Sequence, residues 1–185
     1  MVNVGCDEIF DIGAGQSKAA CKAKGKGQVY LDFLLSLYQD LSHRGFTIQF
    51  WGDIILQYPE LVPQLPDDII ALNWGYEADH PFDIEAEIFR ENRVPFYVCP
   101  GTSSWNSLAG RVDNMLQNCR RAAEEGIKNK ATGYLLTDWG DNGHWQQLPI
   151  SYPGFAAGAA LSWSLEANRN INLSEILNNI IFKDA

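Results

Sequence analysis

Short apolar runs alternate along the chain with longer segments in which apolar residues recur every three or four positions. The short runs predict five strands, at residues 2–8, 46–51, 69–74, 94–99 and 132–138. The longer spacing predicts helices at residues 29–41, 83–93, 108–126 and 155–166. Strands that are apolar on both faces and alternate with helices are typical of a parallel sheet with helical crossovers, so we predict an α/β fold.

Three of the predicted strands end at or just before a tryptophan, which is followed by a glycine and, one or two positions later, by a carboxylate. The segments are Trp51-Gly52-Asp53, Trp74-Gly75-Tyr76-Glu77 and Trp139-Gly140-Asp141. Because the loops that follow parallel strands meet at one edge of a sheet, these indoles are expected to wall one pocket. Aromatic rings can pack against the C–H edges of a pyranose ring, and carboxylates can accept hydrogen bonds from its hydroxyl groups. The alternative is that the tryptophans are separate residues of the hydrophobic core, and this interpretation fits Trp163 best.

Two adjacent carboxylates, Asp7 and Glu8, follow the first predicted strand. Two adjacent carboxylates repel each other when both are ionised, so one of the two groups tends to keep its proton. This division suits glycoside hydrolysis, in which one group protonates the leaving oxygen and another stabilises positive charge. An acidic, solvated loop is the alternative, and without the tryptophan pattern it would be preferred.

The composition narrows the class of partner. The chain has 185 residues, of which 46% are hydrophobic, and this is enough for one core. A net charge of −9 argues against nucleic acid or an anionic membrane as a partner, and no apolar run reaches the ~20 residues of a membrane span. A neutral substrate is therefore expected. The lysines at positions 18, 22, 24 and 26 are expected to lie in a solvated loop.

The four cysteines, Cys6, Cys21, Cys99 and Cys119, lack the paired spacing of a zinc site. We expect reduced thiols, mostly in the core. Together with an N-terminus that lacks the pattern of a signal peptide, this favours a reducing compartment such as the cytoplasm. The few histidines are spread over separate loops, so no metal site is predicted.

At the level of motifs, residues 2 to about 163 resemble glycoside hydrolase family 20, the exo-acting β-N-acetylhexosaminidases. Val4-Gly5-Cys6-Asp7-Glu8 is similar to the family's Gly-Gly-Asp-Glu motif at the end of the fourth barrel strand, with Cys6 in place of the second glycine. Residues 49–53 and 69–74 resemble the tryptophan segments of the fifth and sixth strands. Residues 137–141 resemble the late Trp-Gly-Glu motif, with Asp141 in place of the glutamate.

The resemblance implies a partial TIM (β/α)8 barrel of about five βα units, similar to strands four to eight, with residues 1–185 as the C-terminal portion of one catalytic domain. It implies removal of terminal β-linked GlcNAc or GalNAc from glycans or oligosaccharides by substrate-assisted retaining hydrolysis, without a cofactor. In this mechanism Glu8 is the general acid/base. Asp7 orients the 2-acetamido group of the substrate and stabilises the oxazolinium cation.

The resemblance also implies a set of sugar-binding residues. The pocket walls are Trp51, Trp74 and Trp139. Asp141 is expected to bind the outer hydroxyls of the sugar. The family's tyrosine after the seventh strand, which binds the acetamido oxygen, has no counterpart in residues 100–106. Trp105 is the first candidate to replace it because it follows a strand, and Tyr97 and Tyr76 are the alternatives.

A complete barrel of this kind has eight strands, and segments similar to the first three strands are absent, together with the family's early arginine. We therefore expect that the chain belongs to a longer polypeptide or associates with itself through uncovered barrel edges. The alternative function is a truncated, non-catalytic carbohydrate-binding or remnant protein that keeps the tryptophan-lined sugar pocket.

Overall fold

The computed structural model describes residues 1–184 and contains a parallel five-stranded sheet. The strands lie in chain order and are β1 (Val2–Asn3), β2 (Ile48–Trp51), β3 (Ile70–Trp74), β4 (Phe96–Cys99) and β5 (Gly133–Tyr134). In the register, Val2 lies opposite Ile48 and Gln49 lies opposite Ile70. The predicted α/β class and the sites of all five strands are confirmed, although β1 and β5 are shorter than predicted.

Within residues 1–184, eight α-helices connect or follow the strands. They are α1 (Lys18–Lys24), α2 (Lys26–Ser42), α3 (Asp53–Leu56), α4 (Phe82–Glu91), α5 (Val112–Lys128), α6 (Tyr152–Trp163), α7 (Leu165–Asn168) and α8 (Leu173–Ile176). Tighter helical turns cover Gly15–Ser17, Pro59–Gln64, Asp141–Gly143 and Leu148–Ile150, and a wider one covers Leu177–Phe182. The four long helices predicted from the apolar spacing are confirmed, with their ends displaced by a few residues.

The prediction of a loop for the lysine cluster is wrong, because Lys18–Lys24 forms α1. Three alanines in this segment favour a helix, and they outweigh the flanking glycines on which the loop prediction depended. The lysines are nevertheless exposed to solvent, as predicted. Gly25, with φ at +86°, ends α1 and lets α2 begin in a new direction.

The described residues divide into two compact units, and the first consists of Met1–Trp74, Asp83–Tyr97 and Asn129–Thr132. Its core is formed by fully buried side chains from α2, β2, α3, β3, α4 and β4. They include Leu31, Leu34, Phe50, Ile55, Leu72, Phe89 and Phe96. The rings of Phe89 and Phe96 stack with their centroids 5.7 Å apart. This core supports the ends of the first three strands.

The second unit consists of Gly75–Phe82, Val98–Lys128 and residues 133–184. Its core lies between α5 and the helices α6 and α7, where Met115, Cys119, Ala157 and Leu161 pack together. Small residues of α6 allow close approach, since a Cβ added at Gly154 would lie 2.7 Å from the Thr102 Cβ.

The interpretation of Trp163 as a core residue is wrong, because its side chain is 90% exposed. The buried positions of α6 are Gly154, Ala157, Gly158 and Leu161, which recur every three or four residues and so form one face of the helix. Trp163 lies two positions from Leu161 and therefore points to another side of the helix. The apolar spacing located the helix correctly but did not locate its buried face.

All four cysteines are free thiols, and Cys99 and Cys119 are buried while Cys6 and Cys21 are half-buried. None of the helices within residues 1–184 combines the length and the apolar character that crossing a bilayer requires.

Candidate functional site

Asp7 and Glu8 follow β1 on a segment with a left-handed backbone. Residues Gly5, Cys6 and Glu8 have φ values of +71°, +72° and +47°. For a side-chain-bearing residue this conformation costs roughly 1–2 kcal/mol, and such residues concentrate at functional sites. The strained conformation of Cys6 gives a physical reason why a glycine would suit this position. The segment is nevertheless fixed, because the Trp51 N–H donates to the Gly5 carbonyl at 3.0 Å.

A third carboxylate, that of Asp53, fixes this segment to the two neighbouring strands of the first unit. One oxygen accepts a 3.0 Å hydrogen bond from the backbone N–H of Glu8, and the other accepts a 3.2 Å bond from the indole N–H of Trp74. Asp53 begins α3 directly after Trp51 and Gly52. A Cβ at Gly52 would lie 3.3 Å from the Leu72 carbonyl oxygen, so a glycine permits this close approach.

The sequence prediction included Trp74 and Glu8 as site residues but did not include Asp53. The signal that could have identified Asp53 is the repeated tryptophan, glycine and carboxylate at the strand ends, of which Asp53 is one carboxylate. Its partner Glu8 lies 45 positions away, so the bond itself has no local signature.

Burial shifts the proton affinities of the groups around these carboxylates. It raises the pKa of Asp53 above its usual range, and hydrogen bonds from Glu8 and Trp74 oppose this shift while the charge of Asp7 adds to it. Burial, followed by the charges of Asp7 and Asp53, raises the pKa of the Cys6 thiol to about 11. The Cys6 thiol is therefore protonated at neutral pH and is a poor nucleophile.

Tyr30 on α2 places a buried phenol near these groups. Its side chain is 1% exposed, and its hydroxyl has no hydrogen-bond partner among residues 1–184. Burial raises its pKa well above the usual range, and electrostatic interactions with Cys6, Asp53 and Asp7 add to the shift. The phenol thus stays neutral. No feature of the sequence distinguishes Tyr30 from the other apolar positions of its helix.

A cavity of about 380 Å³ opens beside the carboxylates in the first unit, and Glu8, Asp53 and Trp74 line it. Two other predicted sugar-binding residues of this unit are not among its lining residues within the described chain. Trp51 is only 9% exposed at the end of β2, and Tyr97 is half-buried on β4. The structure therefore brings Glu8 and Trp74 to one cavity and leaves Trp51 and Tyr97 outside its lining.

The second unit contains the other predicted aromatic residues, and they contact one another. The indole N–H of Trp139 donates to the Tyr76 hydroxyl at 2.8 Å, and the rings of Tyr76 and Trp105 meet edge to face with their centroids 5.0 Å apart. A Cβ at Gly101 would lie 2.4 Å from Trp105 and 2.9 Å from Tyr76, so this glycine makes room for both rings. Trp105 and its alternative Tyr76 are thus parts of one cluster.

Two asparagines on α5, one turn apart, fix the loop that carries Tyr76. The Asn118 side chain is fully buried; it accepts from the Gly101 N–H at 3.1 Å and donates to the Gly75 and Glu77 carbonyls at 2.9 Å each. Asn114 donates to the Tyr76 carbonyl at 2.7 Å. Buried side-chain amides that form hydrogen bonds with backbone N–H and carbonyl groups in this way give the loop a single conformation.

Asp138, the residue before Trp139, accepts hydrogen bonds from three hydroxyl groups at one carboxylate oxygen. The donors are Thr102 at 2.5 Å, Ser104 at 2.7 Å and Ser151 at 3.0 Å. The predicted hydroxyl-binding residue Asp141 is solvent-exposed and begins a tight turn. Asp138 therefore has a positioning role in this unit, whereas the side chain of Asp141 is open to ligands.

A second cavity, of about 390 Å³, lies in the second unit and is lined by Asn106, Ser107, Leu108, Asn142 and Trp145. The sequence analysis included none of these as site residues. Trp145 is 73% exposed, and its indole N–H donates to the Asn142 carbonyl at 2.6 Å.

Within residues 1–184, no group of three or more histidine, cysteine, aspartate or glutamate side chains is arranged to hold a metal ion. Comparison of the chain with models of known protein families and with curated proteins gave no match in either case.

Proposed function

We propose that this chain acts as an exo-β-N-acetylhexosaminidase, which removes terminal β-linked GlcNAc or GalNAc by substrate-assisted retaining hydrolysis. In the same proposal the parallel sheet is part of a (β/α)8 barrel. One observation carries the proposal: the exposed residue Glu8 lines a cavity while its backbone is held by Asp53, a carboxylate that also holds the indole of Trp74. A proton donor and an aromatic wall are thereby fixed relative to each other.

The proposed first step uses Glu8 as the general acid. Its carboxyl proton passes to the glycosidic oxygen as the bond from that oxygen to the anomeric carbon breaks. The carbonyl oxygen of the substrate's 2-acetamido group attacks the same carbon and forms a cyclic oxazolinium cation. Asp7 stabilises the positive charge of this cation, so the enzyme needs no nucleophile of its own.

In the second step a water molecule attacks the anomeric carbon. Glu8, now ionised, takes a proton from that water, the oxazolinium ring opens, and the sugar leaves with its original configuration. The protonated state of the Cys6 thiol supports this scheme, since the cysteine beside the two acids does not compete as a nucleophile. The roles of Trp105, Trp139 and Asp141 in sugar binding stay predictions from the resemblance.

The test is release of 4-nitrophenol from its β-GlcNAc and β-GalNAc glycosides. We expect turnover of both, and none of 4-nitrophenyl β-glucoside, which lacks the acetamido group. Glu8→Gln should lower the rate least for substrates with good leaving groups, because these depend least on acid assistance. Asp11→Asn is the matched control, since Asp11 is an exposed carboxylate in the same loop.

Asp7→Asn should remove the support of the cation and cost about 3 kcal/mol or more of transition-state stabilisation. Near-full activity of Asp7→Asn would reject the substrate-assisted mechanism. Binding of GlcNAc without any turnover would reject hydrolysis and would support the alternative, a non-catalytic carbohydrate-binding protein.

A further inference from the structure

The cavity beside Glu8 also contains a lysine, Lys26. We propose that this cavity holds the leaving group of the glycoside and prefers leaving groups that combine a flat apolar body with a negative charge. The inference rests on the proposed hydrolase function and specifies its substrate class.

The position of the two acids indicates which part of the substrate occupies the cavity. Glu8 lines the cavity, whereas Asp7 is not among its lining residues in the described chain. The general acid donates its proton to the oxygen that departs with the leaving group. Asp7 acts on the acetamido group of the sugar that stays behind. The space on the Glu8 side, away from Asp7, therefore belongs to the leaving group, and in this proposal Trp74, which also lines the cavity, stands at its boundary with the sugar.

The apolar part of the lining suits a flat ring. Phe10 lies in the loop after β1 and is 86% exposed, so it offers its ring to a ligand. Tyr58 lines the cavity and is fixed by close packing, because a Cβ at Gly27 would lie 2.6 Å from its ring. Ile54 of α3 adds an aliphatic surface. Two aromatic rings and an aliphatic side chain favour an aryl group or the apolar face of a similar flat body.

Lys26 supplies the charge selectivity. Its ammonium group makes no ion pair with any carboxylate of residues 1–184. Its stem passes close to Gly13, where an added Cβ would lie 3.0 Å from the Lys26 Cε. The carboxylate of Asp53 lines the same cavity and repels an anion, so an anionic ligand depends on Lys26, the one cation among the described residues of the lining. Binding of a neutral leaving group does not depend on the charge of Lys26.

The first experiment compares two aryl β-GlcNAc substrates, one with a 4-carboxylate and one with the neutral 4-methyl ester on the phenyl ring. The measured quantity is the ratio of kcat/KM for the acid to kcat/KM for the ester, and the same two substrates are used for every variant. Because both leaving groups keep their chemistry across variants, a change in this ratio reports on binding of the charge.

We expect Lys26→Met to lower the ratio about fivefold, the size of an exposed charge interaction of about 1 kcal/mol, and we expect high salt to reduce the effect. Lys22→Met is the matched control, since Lys22 is exposed on α1 and does not line the cavity in the described chain. An unchanged ratio in Lys26→Met, with hydrolysis intact, overturns the inference and leaves the hydrolase proposal standing.

The second experiment measures binding of 4-carboxyphenyl 1-thio-β-GlcNAc, which resists cleavage, by titration calorimetry. If nothing is hydrolysed but this ligand binds and Lys26→Met weakens it, the hydrolase proposal fails and the assignment of the cavity to an anionic aryl group is supported. Absence of both turnover and binding overturns both proposals. Matching circular dichroism spectra and melting temperatures show that the variants are folded.

Discussion

Glu8 and Asp53 are joined by a hydrogen bond of 3.0 Å from the backbone N–H of Glu8 to the Asp53 carboxylate. The second oxygen of the same carboxylate accepts from Trp74 at 3.2 Å. Each carboxylate oxygen of Asp53 thus accepts a hydrogen bond that fixes another residue, and neither donor is an arginine or lysine. Asp53 is therefore a positioning residue for the proposed acid and the aromatic wall.

Replacing Asp53 with asparagine should weaken both stability and activity. Asparagine keeps one oxygen but presents an NH2 group to the other N–H donor, so one hydrogen bond is lost. We expect a loss of about 1–2 kcal/mol in the free energy of unfolding and a decrease in kcat of roughly tenfold to 100-fold from looser positioning. Urea unfolding and hydrolysis rates measure these effects, with Asp11→Asn as the control. An Asp53→Asn variant with wild-type kcat would contradict the positioning role.

The raised pKa of Asp53 predicts how the stability of the protein depends on pH. A carboxyl group whose pKa is raised by folding stabilises the fold below its unfolded pKa of about 3.9, and this stabilisation is lost as the pH rises through the folded pKa. The stability of the wild type relative to Asp53→Asn should therefore increase as the pH falls from 7 towards 4. Urea unfolding of both proteins across this range measures the difference. A relative stability that decreases on acidification would show that the pKa is lowered instead.

The parts of the fold that follow from local spacing were predicted well. The helices over Lys26–Ser42 and Val112–Lys128 carry apolar residues every three or four positions, and the strand Ile70–Trp74 is apolar except at Asn73. β1 ends early because its chain turns into left-handed backbone at Gly5, and the apolar pattern alone does not contain that information.

The sequence offers candidate site residues only where chemistry is visible within a few residues, as it is for Asp7 and Glu8, and their catalytic roles stay predictions. The role of Asp53 depends on a partner 45 positions away, and Lys26 enters the site through packing of its stem near Gly13. Trp163 shows the same limit for burial, because its place on a predicted helix fitted a core residue and the direction of its side chain decided otherwise. Long-range contacts and side-chain direction are set by the tertiary structure, so a single sequence does not specify them.

Cys6 should react slowly with iodoacetamide. With a pKa of about 11, its thiol is almost entirely protonated at pH 8, and the thiolate is the reactive form. Because the charge of Asp7 contributes to this shift, Asp7→Asn should accelerate labelling of Cys6, whereas Asp11→Asn should not. Peptide mass spectrometry after timed labelling measures the rate at each cysteine. Fast labelling of Cys6 in the wild type would show that the thiol is ionised and would reopen a role for it as a nucleophile.

Asn118→Ala should be strongly destabilising. The substitution removes the three hydrogen bonds of a fully buried side chain and leaves the Gly101 N–H and the Gly75 and Glu77 carbonyls without this partner. We expect a loss of about 2–4 kcal/mol in the free energy of unfolding. The control is Asn170→Ala at an exposed position, which should change stability by no more than about 0.5 kcal/mol. Similar urea midpoints for the two variants would contradict the role assigned to Asn118.

Tyr30→Phe should leave the stability unchanged or increase it by up to about 1 kcal/mol, because it removes a buried hydroxyl that has no hydrogen-bond partner in residues 1–184. The matched control is Tyr134→Phe, which removes a hydroxyl that donates to the Cys119 carbonyl at 3.2 Å and should cost about 1 kcal/mol. Thermal and urea unfolding compare the pair. A clear loss of stability in Tyr30→Phe would mean that its hydroxyl has a bound partner in solution, such as an ordered water molecule.

The hydrogen bond to Asp53 holds Glu8 by its amide, and the carboxyl-bearing side chain of Glu8 is exposed. The backbone N–H of Glu8 is therefore fixed, whereas the carboxyl group at the end of its side chain can rotate. Rotations about the side-chain torsions of an exposed residue take picoseconds to nanoseconds, whereas opening of a loop takes far longer. In the proposed mechanism, Glu8 can thus exchange its proton with bulk water between turnovers without any movement of the main chain, and solvent viscosity should have little influence on that exchange.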